Sequence, residues 1–454
     1  MEPPAVPGKP SRDVAIDIIR RLRGEGYDAL LAGGCVRDTL LDLEPKDFDV
    51  ATSARPEHVA ELFDRVVPIG VAFGVMLVVI DGVGYEVATF RRDRGYRDGR
   101  RPEGVVFSDA EGDALRRDFT INGLFLDPEG DEVIDFVGGR ADLDRGIVRA
   151  IGDPRERFAE DRLRALRAVR FATRLGFEIE ENTALAIQES APRITEVSWE
   201  RIRDELVGMF TGPRAGLALD LLHEFGLLAV VLPEVAAMRG VRQPDEFHPE
   251  GDVFQHTRMM LDLMEGPSPR LAMAVLLHDV GKPETYREAD RIRFDEHDRV
   301  GAEIARGVCK RLRFSADDTR LIGQLVEHHM RFMHVRKMKT STLKRLLGME
   351  GFRDHLDLHR LDCLASHGGL ENYEYALEKS REFGEEEIRP ARLVRGEDLI
   401  EMGFAPGPLF AEILKAVEEE QLEGRLADRG AALAWIEAQF GKYRDGHCGE
   451  RSRE

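Results

Sequence analysis

The sequence predicts an α+β chain in which a small mixed-sheet head is followed by helices alone. Three observations carry this expectation. The runs that read as strands, with the Gly33-Gly34 turn and the Asp81 to Gly84 hairpin signal, are found in the first 150 residues. From about Asp153 onward the apolar residues recur at helical spacing instead. A length of 454 residues is more than one compact core accommodates, so roughly two to four domains are expected.

In order, Tyr27 to Ala32 reads as a strand running into Gly33-Gly34, and Val36 to Leu43 as a short helix. The glycines therefore sit where strand turns into helix. Such a turn brings backbone N–H groups and a helix N-terminus against a phosphate, with Arg37 placed to clamp it. Lys46 to Thr52 reads as a second strand, so Asp47 and Asp49 project from one face, roughly 6–7 Å apart at Cα. Paired carboxylates of this kind suit Mg²⁺ holding a nucleoside triphosphate. Pro56 to Phe63 follows as a helix capped by Ser53. Val75 to Ile80 and Tyr85 to Phe90 then bracket Asp81 to Gly84 as a hairpin, with Glu86 as a candidate third catalytic carboxylate. Arg91 to Gly104 carries six arginines, three glycines and a proline without apolar periodicity. It reads as a mobile cationic loop.

The segment LAGGCVRDTLLDLEPKDFDVAT, with GGxxRD followed by DxD, resembles the nucleotidyltransferase head of the DNA polymerase β superfamily. The surrounding residues narrow the resemblance to class II CCA-adding enzymes and bacterial poly(A) polymerases. Two further stretches fit that family in order. RRDFTIN, at Arg116 to Asn122, resembles a motif whose arginine, here Arg117, contacts the nucleotide. EDRLRALRAVRF, at Glu160 to Phe171, resembles the EDxxRxxRxxRF motif that meets the incoming nucleotide. Helical spacing there puts Asp161, Arg164 and Arg167 on one face, with Arg170 less well aligned. The resemblance implies nucleotide binding by Gly33, Gly34, Arg37, Arg117, Asp161, Arg164, Arg167 and Arg170. It also implies a polymerase β-like head that adds C and A from CTP and ATP to the 3′ end of tRNA.

Base-edge chemistry supports that implication. Cytosine N4 and adenine N6 are both amino donors, so one carboxylate such as Asp161 accepts from either, while uracil and guanine present carbonyl oxygen there. Arg164 can donate to the ring nitrogen that both accepted bases carry.

Ten of the thirteen histidines lie between His248 and His367. His256 lies in an amphipathic helix, His278-Asp279 ends the apolar run LAMAVLLHDVGK, and Asp362 follows far downstream. This order resembles the HD superfamily of metal-dependent phosphohydrolases, whose ligands run H…HD…D. The resemblance implies a divalent transition metal or Mg²⁺ on His256, His278, Asp279 and Asp362, where bound water becomes a nucleophile. His297 and His328 are candidates for a second site.

The expected domains are a head over 1–150, a helical neck over 151–240, an HD domain over 241–370 and C-terminal helices over 371–454. Gly240 to Asp252 reads as a linker, and GEEEIRP as a solvated turn. Composition excludes other classes. No apolar run approaches the ~20 residues of a membrane helix, and MEPPAVPGKPSRD lacks a signal-peptide core, so the cytoplasm is the expected location. Cys35, Cys309, Cys363 and Cys448 show no CxxC spacing, against a zinc ribbon or disulfide scaffold. A net charge of −20 argues against nonspecific coating of nucleic acid, so an RNA partner must meet local basic surface. Rival readings are an A-adding, CC-adding or poly(A) polymerase of the same family, or a phosphohydrolase whose head only binds RNA. Oligomeric state is not legible.

Overall fold

The computed structural model describes residues 9–70, 73–96, 102–244 and 251–444. Contacts divide the chain into two compact units. The first comprises residues 1–240 with 257–262 and 307–315; the second comprises 241–256, 263–306 and 316–454.

In the first unit, the four residues of β1 (Ala29–Ala32) are all buried because the strand is central in a seven-stranded sheet. Its other strands are β2 (Val50–Thr52), β3 (Val66–Gly70), β4 (Val75–Ile80), β5 (Val83–Thr89), β8 (Leu124–Asp127) and β9 (Glu132–Asp135), in the order β3-β4-β5-β2-β1-β8-β9. Only β2 and β5 pair in parallel; every other pairing in that sheet is antiparallel. The head is therefore a mixed sheet, as expected. Helix α1 (Arg12–Gly24) packs on β1 and buries Ala15, Ile18, Ile19 and Leu22.

Several sequence boundaries shift. The first strand starts at Ala29 rather than Tyr27, and α2 (Gly34–Leu40) begins at the second glycine. Asp47 and Asp49 lie in extended chain just ahead of β2 rather than within it, although Ala32 N still donates to Asp49 O at 3.0 Å. Helix α3 (Pro56–Leu62) is preceded by Arg55, not capped by Ser53, whose Oγ instead accepts from Asp28 N. The β4–β5 turn is tighter than read: Asp81 and Gly82 both have positive φ, the two-residue geometry that matches strand twist.

The cationic stretch after Phe90 is not a loop. It forms a hairpin of β6 (Arg91–Tyr96) and β7 (Pro102–Phe107), and residues 97–101 lie outside the described residues. The arginines of β6 (Arg91, Arg92 and Arg94) hid this from a reading based on apolar alternation.

Between β7 and β8 lies α4 (Ala110–Leu115), which leads into the RRD segment, and beyond β9 come α5 (Gly139–Arg145) and α6 (Pro154–Glu160). The motif expected on one helix is split. Asp161 is extended (φ −142°, ψ 103°), and α7 (Leu163–Leu175) starts after it. Thus Asp161 does not share a continuous helical face with Arg164 and Arg167. Helices α9 (Trp199–Phe210) and α10 (Ala215–Glu224) pack on α7, and α8 (Glu181–Ser190) packs on α6. Helix Leu227–Val231 ends at Leu232, and Pro233 opens a separate short helix, Pro233–Ala236.

The second unit is helical apart from a small hairpin, Tyr286–Glu288 with Ile292–Phe294. Leu271 to Leu277 are all buried in helix Pro269–Leu277, which packs against Ala316–His328 and Phe352–Ala365. Part of the supposed linker, residues 245–250, lies outside the described residues. Gln243 within it is buried. GEEEIRP contains a short helix, Glu385–Ile388, rather than only a turn. Helices Pro408–Leu422 and Arg429–Phe440 surround a separate apolar cluster that includes Ile413 and Ile436. No helix among the described residues is long and apolar enough to cross a membrane.

Candidate functional sites

A cavity of about 540 Å³ in the first unit gathers the three head and neck motifs. Eight arginines and five aspartates line it. Such a wall suits a polyanion held by a divalent cation better than an apolar ligand.

Gly33 shows why the first glycine is needed. Its φ is +73°, and a Cβ there would stand 2.5 Å from Arg117 Nη1. The guanidinium of the second motif thus packs directly over the glycine of the first. Gly33 N donates to Leu124 O, so this N–H holds the sheet instead of facing a ligand. Arg37 lines the cavity, yet it is buried and already engaged: Nε and Nη2 donate to Asp38 Oδ1, and Nη1 to Asn122 Oδ1. Its fork is therefore a fixed wall rather than a free clamp. Arg174 holds the other oxygen of Asp38 at 2.8 Å.

Asp47 is exposed and Asp49 partly buried, with Phe48 buried between them, so the expected alternation survives without a ladder. The β2–β5 register pairs Val50 with Val87, which sets Glu86 beside Asp49. Burial, with the charges of Asp47 and Glu86, pushes the Asp49 carboxyl up to about 7. The mutual repulsion of these carboxylates is of the kind a divalent cation relieves.

Asp113 is a residue that the sequence reading missed. It is buried on α4 and accepts from Arg116 through Oδ1 and from Arg117 through Oδ2. Burial raises its carboxyl, but the two guanidinia outweigh burial and hold it below the usual range. Its i, i+3 and i, i+4 spacing to the arginines was the available signal.

The neck is tied in by the same chemistry. Asp118 accepts from Phe119 N, Asn122 Nδ2 and Arg167 Nε. Against burial, Arg167 and Asn122 bring its carboxyl down to about 2. Arg170 donates to the buried Glu205 at 2.6 Å. Arg37, Arg167 and Arg170 all stand about 5 Å from the ring of Phe171, at 5.1, 5.2 and 4.9 Å. One aromatic ring therefore seats three guanidinia. Arg164 donates to Glu160, Arg157 O and Arg116 O, and Asp161 is held by Arg201. Glu205 and Arg201 had no separate signal in the sequence, because their partners come from distant segments; Phe171 closes the third motif, but the stacking of Arg37 on it joins distant segments.

The second unit carries a cluster of histidines and aspartates in two groups. Ligand atoms of His256, His278 and Asp362 lie within 4.8 Å of one another, as do those of Asp279, His297 and His329. The second group corrects the sequence reading. His329, not His328, joins His297, while His328 stacks on His355. Helix Ala316–His328 ends there, and the following turn directs the next side chain inward.

Three rings are oriented alike. His278 Nδ1 donates to Val275 O, His297 Nδ1 to Phe294 O and His329 Nδ1 to Val326 O, at 2.6–2.8 Å. Each Nε2 is thereby left as the lone-pair nitrogen that metal ligation needs. His278 Nε2, His297 Nε2 and both Asp279 oxygens are buried with no hydrogen bond of good geometry. Lys282 Nζ nevertheless lies 2.7 Å from Asp279 Oδ2 and donates to Gln243 Oε1. Burial, then His297 and His278, lowers the His329 imidazole to about 4, so it is neutral at physiological pH. Burial raises Asp279 and Asp362, but the surrounding histidines, with Lys282 beside Asp279, outweigh it and hold both well below the carboxylate range. The donor set fits one or two divalent cations.

The comparisons agree with this geometry. Residues 29–149 match the poly A polymerase head domain, 176–239 the probable RNA and SrmB-binding site of polymerase A, and 253–395 the HD domain. The CCA-adding enzyme of Geobacillus kaustophilus is 44% identical over 230 residues, 50% of this chain and 56% of the relative. That of Lactobacillus helveticus is 43% identical over 230 residues, 50% and 57%. The chain thus spans little more than half the length of the curated relatives it matches. The crystal structure of the Bacillus stearothermophilus CCA-adding enzyme in complex with CTP aligns over 96% of this chain and 98% of its own, with 28% identity and a TM-score of 0.72. The Thermotoga maritima enzyme complexed with tRNA shares the fold at 19% identity, over 94% of each chain, with a TM-score of 0.56. In this order the chain carries a segment similar to the poly A polymerase head domain, one similar to the RNA-binding segment of polymerase A and one similar to the HD domain, and half of it is 43–44% identical to CCA-adding enzymes.

Proposed function

We propose that the first unit is a template-independent nucleotidyltransferase that adds C and A, from CTP and ATP, to the 3′ end of tRNA in the cytoplasm. The observation that carries this is the single cavity in which Asp47 and Asp49 face the arginines of two distant motifs. Asp47 and Asp49, with Glu86 beside them, would hold Mg²⁺, which activates the RNA 3′-hydroxyl and neutralises the departing pyrophosphate. Arg37 and Arg117 supply fixed positive charge for the triphosphate, and their rigid partners mean little reorganisation on binding. Arg167 and Arg170 extend that charge around Phe171. Asp161 accepts from the amino group shared by cytosine and adenine, and Arg164 donates to the ring nitrogen they share.

The test is direct. Purified protein is given tRNA transcripts lacking CCA and each labelled nucleoside triphosphate in turn, and products are sized on a gel. Addition of two C and one A is expected. A lone A, CC only, or a long A tail would reassign the chain to a related activity, and no incorporation would overturn the reading.

The two groups of converging ligand atoms in the second unit, with the buried Nε2 atoms of His278 and His297, support a second activity. That unit would act as a metal-dependent phosphohydrolase on phosphomonoesters or 2′,3′-cyclic phosphates at RNA ends. His256, His278, Asp279 and Asp362, with His297 and His329, would hold a divalent transition metal or Mg²⁺, which supplies an activated water. Lys282 is placed to neutralise Asp279. Release of phosphate or opening of a cyclic phosphate, dependent on added metal and lost in chelator, is the outcome that supports it.

A further inference from the structure

We propose that Arg201 determines which bases the site accepts, by fixing Asp161 as a single, outward acceptor. The inference rests on the reading of Asp161 as the group that meets the base edge.

Arg201 lies near the start of α9, forty residues beyond Asp161. Its guanidinium grips the carboxylate as a fork, Nη1 to Oδ1 at 3.2 Å and Nη2 to Oδ2 at 2.7 Å. Leu163 N donates to Oδ1 as well, at 3.1 Å. A carboxylate offers about four lone-pair directions. Three are thus taken, and the one that remains belongs to Oδ2.

This matters because Asp161 stands at a break between helices, in extended backbone. Without the fork, only the Leu163 contact would anchor a short side chain free to turn about its own bonds. A turned or solvated carboxylate meets a uracil or guanine carbonyl through water, and the mismatch that excludes those bases fades. With the fork, Oδ2 presents an acceptor and nothing else. The fork geometry is particular to arginine, since a lysine ammonium delivers charge without fixing the plane of its partner.

Arg164 shows the same design. Three of its five N–H donors are spent on Glu160, Arg157 O and Arg116 O. Both base-facing groups are therefore immobilised with part of their capacity left over. Asp161 and Arg164 line the cavity, whereas Arg201 is not among the lining residues. Arg201 is a positioning residue: it acts through Asp161 and touches no base.

The experiment measures incorporation efficiency for all four nucleoside triphosphates on one tRNA, using wild type, Arg201→Met, Arg201→Lys and Asp161→Ala, with thermal unfolding of each. Arg201→Met keeps the bulk and removes the fork. Its CTP-over-UTP and ATP-over-GTP preferences should fall roughly tenfold or more, the scale of one bidentate contact. Arg201→Lys, which retains charge and folding, should lose an intermediate part. Preferences within twofold of wild type in both Arg201 variants, with Asp161→Ala relaxed, would overturn the role of Arg201 while leaving Asp161 in place. Unchanged preferences in Asp161→Ala would overturn the base-edge reading itself, and this inference with it.

Discussion

Arg167 Nε lies 2.8 Å from Asp118 Oδ2, so an arginine of the neck helix is hydrogen-bonded to the aspartate of the head's RRD segment. Asp118 is only 9% exposed, so solvent screens the pair little. Its native carboxyl sits at about 2 against an ordinary 3.8. The ionised pair therefore stabilises the fold above the ordinary aspartate range, and that contribution is lost as pH falls from about 4 through about 2. The shift corresponds to about 2 kcal/mol. Asp118→Asn should lower stability at neutral pH by about 2–4 kcal/mol, because it also strands Arg167. Urea unfolding at pH 7 and pH 2 checks this, with the gap between variant and wild type narrowing at the lower pH. Equal stability at pH 7 would show that the pair contributes nothing.

Asp49 has the opposite sign. Its carboxyl is raised by burial and by Asp47 and Glu86 to about 7, so ionising it costs stability as pH rises from about 4 to about 7. In chelator at pH 8, Asp49→Asn should be more stable than wild type by about one to a few kcal/mol, and the gain should vanish near pH 4. The same variant, and Asp47→Ala, should lose nucleotide addition by on the order of 10³-fold or more. Near-wild-type incorporation by either would remove these carboxylates from the chemistry.

Phe171→Leu tests the aromatic seat. Leucine fills much of the space but has no ring face for Arg37, Arg167 and Arg170. Each contact is worth about 0.5–2 kcal/mol. The KM values for CTP and ATP should rise together, several-fold or more, with the preference between the bases unchanged. A change in base preference without a change in KM would contradict the seating role.

In the second unit, neighbouring histidines should behave differently. His329→Ala should lower bound divalent metal, whereas His328→Ala, which removes a ring stacked on His355, should not. The double variant His278→Ala with Asp279→Ala should abolish phosphohydrolase activity and spare nucleotide addition. Elemental analysis of purified variants and hydrolysis of an aryl phosphodiester provide the readouts. Equal metal content in all four proteins would reduce the cluster to packing.

The sequence by itself determined the mixed-sheet head, the helical remainder and most residues at both sites. Those signals are local: GGxxRD, DxD and His-Asp are short-range patterns, and alternation already placed Asp47 and Asp49 on one side. Tertiary structure decided what holds these residues in place. Asp113, Asp118, Glu205 and Arg201 matter through charges brought to them by folding, at separations from three residues to forty-nine. It also decided which of two adjacent histidines turns inward, and that the acidic end of the ED motif leaves the helix at Asp161. Periodicity assumes that an element continues, and here the break is what sets Asp161 against Arg201. The β6–β7 hairpin was hidden for a related reason, since ladder hydrogen bonds are made by the backbone and leave no mark on a run of arginines.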